Sequence, residues 1–317
     1  MPPAPERSIR LEAAAGGAGG SWYVLLEGLA RLVRDVHPWI DMHVVEGGGV
    51  MNHANVGAAR IPAAILNPPM TVAAQAGRSP FDHPLPDLRV GVANLTVNHL
   101  QLMVSRDVPL AGLADWTARR YPLRVPVDRV GTVDRLVFEL ALEQIGLTPA
   151  VPESWGGGLV PADNYHQQLG LYRDAKVDAL WQFMGIASPS IQGAHAARPI
   201  KPLALPPDLI ARLVHLGWLA AELPAGAYGV VASPVPTVSM GTSLGFHAAV
   251  PAEVVHAITA AICDNAARVR AIHPAAAAFD PARAHLDPGG PLHEGAARYF
   301  EHPPRFLLDR YAAETGL

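Results

Sequence analysis

The chain has 317 residues, of which 50% are hydrophobic and 16% charged, and its formal net charge at pH 7 is -4. This composition excludes extended disorder, and basic residues that never form a run exclude a nucleic-acid or membrane-surface footprint. No apolar stretch reaches the roughly 18 residues that a membrane-spanning helix needs, and the length predicts two lobes of roughly 100 to 200 residues each.

Residues 9–34 predict a short strand, a glycine-rich loop and a helix that opens at Ser21. Glycines lack a Cβ and let backbone N–H groups approach a ligand, while the first helical turn leaves N–H groups without intrahelical partners. The loop is therefore typical of a cradle for an anion or a carboxylate, with a tight structural turn as the alternative. Trp22 stands where the dinucleotide fingerprint requires a glycine, and no Gly-Lys-Ser/Thr of a P-loop follows.

The same order of strand, glycine loop and helix is predicted a second time. A strand over 40–45 leads into Gly47, Gly48 and Gly49, and a helix over 50–59 carries Asn52. Strands over 61–66 and 88–92, separated by a proline-rich loop at 76–87, complete a parallel α/β lobe with crossover helices.

The middle of the chain predicts a second α/β lobe. Strands are expected over 99–105, 123–127, 177–183 and 200–205, with a short capped segment over 110–114. Helices are expected over 132–146, 165–175 and 208–216, and a loop followed by a helix over 185–197. Gly131 and Thr132 stand at the start of the first of these helices. Thr132 is also a good N-cap, so capping alone would explain it.

The last part of the chain is predicted to return to the first lobe. Residues 228–249 are apolar and β-prone, and helices follow over 252–272 and 295–300. We therefore expect a discontinuous lobe I of residues 1–95 and 237–317, a lobe II of residues 96–236, and a hinge with two crossings. Ligand sites in open α/β sheets lie beyond the carboxyl ends of strands, so the loops at Gly19, Gly48, Gly131 and Trp181 are expected to converge on one cleft.

Three observations narrow the function classes. The single cysteine, Cys263, excludes an internal disulfide and predicts a buried, inert thiol. The 14 histidines show no metal-ligand spacing, and no pattern indicates a cofactor. The opening MPPAPERSIR has no apolar h-region, so either a signal peptide was removed before this numbering begins or the protein stays in the cytoplasm.

The order of these motifs resembles the solute-binding proteins of TRAP transporters of the TAXI type. That family's GG-x-GG-x-aromatic-Tyr pattern is similar to residues 16–23, and its GGS-x-x-Asn pattern is similar to Gly47, Gly48 and Asn52. Further similarities are Ser79-Pro80-Phe81, Asn94-Leu95, Gly131-Thr132, Asp178-Ala179 with Gly185, Pro189 and Ile191, and His293, Gly295, Ala296, Arg298 and Tyr299. The resemblance covers about residues 8–302, and it departs from the family at Gly49, where a serine is usual, and at Thr96, where a tyrosine is usual.

The resemblance implies a type II periplasmic-binding-protein fold, in which two Rossmann-like α/β lobes joined by a two-crossing hinge hold a small acid between them. The family's usual ligand is glutamate or a related dicarboxylate, and the missing hydroxyl at Gly49 and phenol at Thr96 weaken that expectation. The ligand-contacting residues are expected to be Gly19, Gly20, Ser21, Trp22, Gly48, Gly49, Asn52, Asn94, Gly131, Thr132, Val133, Arg135, Trp181 and Gln182. Backbone N–H groups are the expected partners of a carboxylate, with Arg135 or Arg129 as the alternative.

The function that the resemblance implies is a periplasmic receptor that captures a small organic acid and passes it to membrane TRAP subunits. The acid is expected to be a dicarboxylate, a glutamate-like acid or an aromatic acid, and no cofactor or catalytic residue is expected. The missing apolar leader favours two alternatives on the same bilobal fold. These are a cytoplasmic decarboxylase or lyase of an organic acid, and a ligand sensor.

Overall fold

The computed structural model describes residues 8–18, 20–186 and 188–301. The first elements of the chain are β1 (Ile9–Ala14), α1 (Ser21–Val36), β2 (Ile40–Val45), α2 (Gly49–Gly57), β3 (Ala63–Leu66), α3 (Pro68–Ala76) and β4 (Leu88–Ser105). They are followed by α4 (Ala114–Arg119), β5 (Arg124–Val127), α5 (Val133–Gln144), α6 (Val151–Ser154), β6 (Gly158–Pro161), α7 (Tyr165–Arg173), β7 (Ala179–Met184) and α8 (Pro189–Ala197). The last elements are β8 (Ile200–Pro202), α9 (Pro207–His215), β9 (Leu219–Leu223), β10 (Val235–His247), α10 (Ala252–Asp264), α11 (Ala266–Ile272) and α12 (Glu294–Glu301).

The chain divides into two compact units. Unit 1 contains residues 1–97 and 241–317, and unit 2 contains residues 98–240. The chain passes from one unit to the other twice, once within β4 and once within β10. None of the described helices is both long and apolar enough to cross a membrane.

Unit 1 is built on a mixed sheet whose strand order is β2-β1-β3-β10-β4. β1 is parallel to both β2 and β3, and β10 is antiparallel to β3. Helix α1 forms because its apolar residues recur on one face, and Leu25, Leu29 and Val33 are buried in the core of this unit together with Val254 and Ile258 of α10. The parallel trio and its crossover helices confirm the predicted α/β fold class.

Unit 2 combines antiparallel and parallel pairing. The second half of β4 pairs antiparallel with β7 and β8, β9 pairs antiparallel with the first half of β10, and β5 and β6 form a separate parallel pair. Asp178, just before β7, accepts hydrogen bonds from Arg124 on β5 (2.8 Å from Nε) and from Arg198 (3.2 Å). The two guanidinium groups hold the pKa of that carboxyl below its usual value despite its partial burial.

Several predicted boundaries were wrong. The predicted strands over 88–92 and 99–105 are one strand, β4, because the polar residues between them find partners: Thr96 donates to Thr242 (2.7 Å) and Asn94 donates to the carbonyls of Arg283 and Leu286. The predicted helix over 252–272 is broken at Asn265, which has a non-helical backbone. The capped segment over 110–114 leads into α4, and α3, α4, α6, β6 and β9 were not predicted.

Candidate functional site

The carboxyl ends of β1, β2 and β3 lie on one edge of the unit 1 sheet, because these three strands are parallel. Each strand is followed directly by a helix, so the starts of α1, α2 and α3 come to the same edge. In the order β2-β1-β3, the chain moves from β1 to β2 on one side and then crosses to β3 on the other side of β1. Open α/β sheets bind ligands where the strand order reverses in this way, which here lies between β1 and β3. This edge is the candidate site of unit 1.

The loop between β1 and α1 is held by backbone hydrogen bonds that leave the helix start open. Ala15 donates to Val45 (2.9 Å), and Gly20 donates to Gly17 (3.0 Å). Gly20 is the N-cap of α1 and caps it with no side-chain hydrogen bond, and the first turn contains no acidic residue. Among the described residues, nothing accepts from the N–H groups of Ser21, Trp22 and Tyr23. A helix start in this state carries a positive partial charge and free donors.

Trp22 lies beside this loop and is half-buried against the core of unit 1. A Cβ placed on Gly16 would lie 3.5 Å from the Trp22 Cβ, so the indole-bearing residue packs closely behind the glycine loop. Ser21 and Gly20 are exposed, and Gly48 and Gly49 are buried at the start of α2. Gly19, also predicted to contact a ligand, lies outside the described residues.

Asn52 lies beneath the loops rather than at their surface. Its side chain is fully buried, its Oδ1 accepts from Gly48 (2.9 Å), and its Nδ2 donates to the carbonyls of Ala15 (2.8 Å) and Ile65 (2.8 Å). A Cβ on Gly47 would lie 2.2 Å from Asn52 Oδ1, which explains a glycine at that position. In this geometry the Asn52 amide joins the ends of β1 and β3 to α2, and it cannot also make the predicted contact with a ligand.

His53 forms a second buried polar group behind the same edge, and sequence reasoning did not single it out. Its Nδ1 is 2.6 Å from the Gly49 carbonyl, and its Nε2 is 3.4 Å from the N–H of Asn67. Burial lowers the pKa of His53 to about 4, so the ring is neutral, with Nδ1–H donating and Nε2 accepting. Asn67 in turn caps α3 by accepting from Met70 (3.2 Å). The sequence contained a signal for α3 that was not used: Asn67 is followed by Pro68 and Pro69, and asparagine at the N-cap with proline in the first turn is typical of a helix start.

The corresponding helix start in unit 2 is capped by its own side chains. Thr132 Oγ1 accepts from the N–H of Arg135 (3.2 Å), which confirms Thr132 as the N-cap, and donates to the Arg129 carbonyl (3.0 Å). Arg135 Nε donates to Glu139 (2.7 Å), so this guanidinium is paired within its own helix. Val133 is buried, and Gly131 adopts a positive φ of 93° that favours glycine.

A buried carboxyl group occupies the first turn of α5. Asp134 Oδ1 accepts from the Tyr165 hydroxyl (2.7 Å) and from the N–H of Phe183 (2.8 Å). Burial, with a smaller contribution from the nearby Asp128, raises the pKa of Asp134 to about 7. Burial also raises the pKa of Asp128 to about 6. The start of α5 therefore already contains two carboxyl groups of the protein, those of Asp134 and Asp128. Their presence disfavours the binding of an added anion there.

Three other predicted contact residues are structural. Trp181 lies inside β7 rather than in a loop, donates from Nε1 to the Asp134 carbonyl (3.1 Å), and packs edge-to-face on Phe138 with ring centroids 5.2 Å apart. Gln182 is fully buried and donates to Gln168 Oε1 (3.1 Å). Asn94, with a positive φ of 55°, uses its amide to hold the carbonyls of Arg283 and Leu286. The site predictions that remain open to a ligand are thus concentrated at the start of α1.

A groove of about 420 Å³ also occurs on unit 1, between the second half of α1 and α11. It is lined by Gly28, Arg31, Leu32, Asp35, Arg268, Ala271 and Ile272. Arg268 and Asp35 form an ion pair there, and the groove contains none of the residues at the start of α1. Among the described residues, no cluster of histidine, cysteine, aspartate or glutamate could hold a metal ion.

The family model that matches the chain is that of the NMT1-like family, over residues 13–302. The chain belongs to the NMT1-like family. No curated protein matches this member of the family.

Solved structures show the same fold at low sequence identity. A protein described as a periplasmic transporter is 14% identical, with a TM-score of 0.52 over 97% of this chain and 94% of its own. A TctC solute-binding protein from Polaromonas is 15% identical, with a TM-score of 0.51 over 84% of this chain and 88% of its own. The R. palustris protein Rpa4515, solved with adipate, is 17% identical, with a TM-score of 0.52 over 98% of this chain and 96% of its own. These likenesses support the periplasmic-binding-protein-like fold of this NMT1-like chain.

Proposed function

We propose that this protein is a solute-binding receptor that captures a small organic acid by its carboxylate at the start of α1. The observation that carries the proposal is the open first turn of α1, where Ser21, Trp22 and Tyr23 have N–H groups without an acceptor among the described residues. Hydrogen bonds from backbone N–H groups to a carboxylate are charge-assisted and roughly twice as strong as neutral ones. Such a site needs no arginine.

The remaining predicted residues of unit 1 support this proposal in different roles. Gly20 lets the ligand approach the backbone, and Trp22 provides an apolar surface beside the loop. Gly48 and Gly49 are buried, and they act indirectly through their hydrogen bonds with Asn52 and His53. Asn52 acts indirectly, because its three buried hydrogen bonds fix the loop that presents the donors. We leave Thr132, Val133, Arg135, Trp181 and Gln182 out of the carboxylate-binding group, since their side chains are satisfied or buried within unit 2.

The physiological role that we propose is delivery of the acid to the membrane subunits of a TRAP-type transporter of the TAXI class, in the periplasm. The solved neighbours support a receptor role, since one is a TctC solute-binding protein and another was solved with adipate. We propose no catalytic step. Burial raises the pKa of the Cys263 thiol far above its usual value, and His53 is neutral with both ring nitrogens engaged, so neither group is an activated nucleophile or base.

The proposal is tested by thermal unfolding with a panel of adipate, glutamate, succinate and benzoate. A ligand at about 100 times its dissociation constant adds about 2.7 kcal/mol to the free energy of unfolding, which raises Tm by a few degrees. We expect at least one acid to give this shift. An unchanged Tm with every acid would contradict the proposed function.

Two substitutions at one position test the role of the α1 backbone. Ser21→Pro removes one backbone N–H. The helix is expected to tolerate this proline, because proline is favoured at the first helical position. Gly20 also has the extended φ and ψ of -75° and 163° that a residue before proline adopts. We expect Ser21→Pro to weaken binding of the acid that gave the shift by about ten- to hundredfold. Ser21→Ala keeps the N–H and is the matched control. Equally weak binding by both variants would place the contact on the hydroxyl instead, because alanine and proline both lack it.

A further inference from the structure

A carboxylate of the chain itself is hydrogen-bonded to the loop between β1 and α1. The N–H of Ala18 donates to Glu46 Oε1 at 2.9 Å, and both residues are exposed. Glu46 follows the last residue of β2 and precedes Gly47, so it belongs to the loop that leads into α2. The loop thus already contains one N–H group that binds a carboxylate.

The sheet fixes the position from which Glu46 reaches this loop. β1 and β2 pair in parallel with Ala14 opposite Val45, and the next residue of β2's chain is Glu46. Backbone hydrogen bonds hold both sides of Glu46, from Ala15 to Val45 (2.9 Å) and from Gly47 to Gly16 (3.2 Å). The backbone of Glu46 is therefore held at the rim of the proposed α1 site, within reach of the Ala18 N–H.

We propose that Glu46 determines which acids the α1 site accepts, an inference that rests on the proposed function of that site. Glu46 competes with an incoming carboxylate for the N–H of Ala18 and repels a second carboxylate on the same ligand. Its own oxygens accept hydrogen bonds, so it favours an acid with a hydroxyl or amino group next to the carboxylate. The selected class is accordingly a hydroxy or amino acid with one carboxylate near the loop, in preference to an acid with two carboxylates close together.

The size of the effect follows from the exposure of Glu46. Two unit charges about 5 Å apart in a water-like dielectric interact by somewhat under 1 kcal/mol, which corresponds to about three- to fourfold in affinity. Partial exclusion of water at the loop raises the change in affinity to about tenfold for a ligand with two negative charges. The effect falls with added salt, because exposed charges are screened.

The test uses three small probes and the full-length, ¹⁵N-labelled protein. Acetate, glycolate and malonate differ in one added hydroxyl or one added carboxylate, and their affinities are read from the amide resonances of Ala18, Ser21, Trp22 and Tyr23. In the wild type we expect glycolate to bind more tightly than acetate, and acetate more tightly than malonate. Glu46→Gln is expected to raise the affinity for acetate about threefold and for malonate about tenfold. Glu46→Ala, which has no acceptor, is expected to remove the preference for glycolate.

The control is Glu12→Gln, which changes the net charge equally at an exposed position on β1 opposite His43. It is expected to reproduce the wild-type order of affinities. If the loop resonances shift with acetate but Glu46→Gln improves malonate no more than acetate, the role of Glu46 is refuted while the carboxylate site stands. If none of the probes shifts the loop resonances in any variant, the carboxylate site itself is refuted.

Discussion

Two helices of this protein begin after a strand and a glycine, yet their first turns have different chemistry. α1 begins after Gly20 with no side-chain cap and no acidic residue in its first turn. α5 begins after Thr132, whose hydroxyl caps it, and the buried Asp134 lies in its first turn. Among the described residues, the N–H groups at the start of α1 have no acceptor, while the start of α5 has a side-chain cap that accepts from Arg135.

A helix start can bind an anion only where nearby side chains leave its N–H groups unsatisfied, and this is the condition on which the proposed site at α1 rests. Threonine at the N-cap and aspartate in the first turn are the residues that satisfy a helix start best. Serine as the first helical residue, with glycine at the N-cap, provides neither. The two patterns looked equivalent as glycine followed by a hydroxyl residue, but a shift of one position decides whether the hydroxyl can cap the helix.

The largest change in stability is expected from removing the buried hydrogen bonds of Asn52, which hold the loop at the proposed α1 site. Asn52→Ala leaves one buried N–H and two buried carbonyls without partners, so we expect a loss of about 3 to 5 kcal/mol in the free energy of unfolding. Urea unfolding measures it. Asn55→Ala, on the same helix but only partly buried, is the control and is expected to change stability by less than about 1 kcal/mol. A stable Asn52→Ala variant that loses affinity for the acid would restore Asn52 as a direct contact.

The fold class and the elements near the α1 site followed from the sequence because they depend on local patterns. Alternating apolar residues followed by a glycine run predict β2 at Ile40–Val45, as observed, and the apolar face of α1 predicts its burial. The role of Asn52 was not predictable in this way. Its partners Ala15 and Ile65 lie 37 and 13 residues away, and only the paired strands bring them to it.

The error at Gln182 has a similar origin. Residues 177–183 were read as a buried strand, and β7 is buried along its whole length. A strand buried on both faces leaves no side chain exposed to line a site, which conflicts with the prediction that Trp181 and Gln182 contact the ligand. Gln182 is instead accommodated by Gln168 on α7, and Trp181 by the carbonyl of Asp134.

A smaller effect is expected from neutralising the acidic group at the start of α5. Burial, and to a smaller extent Asp128, raises the pKa of Asp134 from its usual value of 3.8 to about 7. The folded protein therefore binds the proton more tightly than the unfolded chain does, and the free energy of unfolding falls as the pH rises from about 4 to about 7. Asp134→Asn keeps an oxygen that accepts from Tyr165 and Phe183 but does not titrate.

We expect Asp134→Asn to be more stable than the wild type at pH 8 by about 2 to 4 kcal/mol and to lose this advantage near pH 4. Urea midpoints at the two pH values measure the difference. Glu222→Gln, which removes an exposed carboxyl on β9, is the charge-matched control and should follow the wild type. Equal pH dependence in Asp134→Asn and the wild type would show that Asp134 is already ionised in the folded state at neutral pH.

The smallest effect is expected at Thr132, where the comparison between the two helix starts can be tested directly. Thr132→Ala removes the cap that accepts from Arg135, so it should lower the free energy of unfolding by about 1 kcal/mol, while Thr132→Ser keeps the hydroxyl and should stay within a few tenths. The alanine variant makes the start of α5 resemble that of α1, except that Asp134 remains in the first turn and disfavours an anion there. Affinity for the acid should therefore be unchanged, as measured by calorimetric titration of both variants. A tenfold loss of affinity in Thr132→Ala with unaltered stability would mean that the hydroxyl contacts the ligand rather than capping the helix.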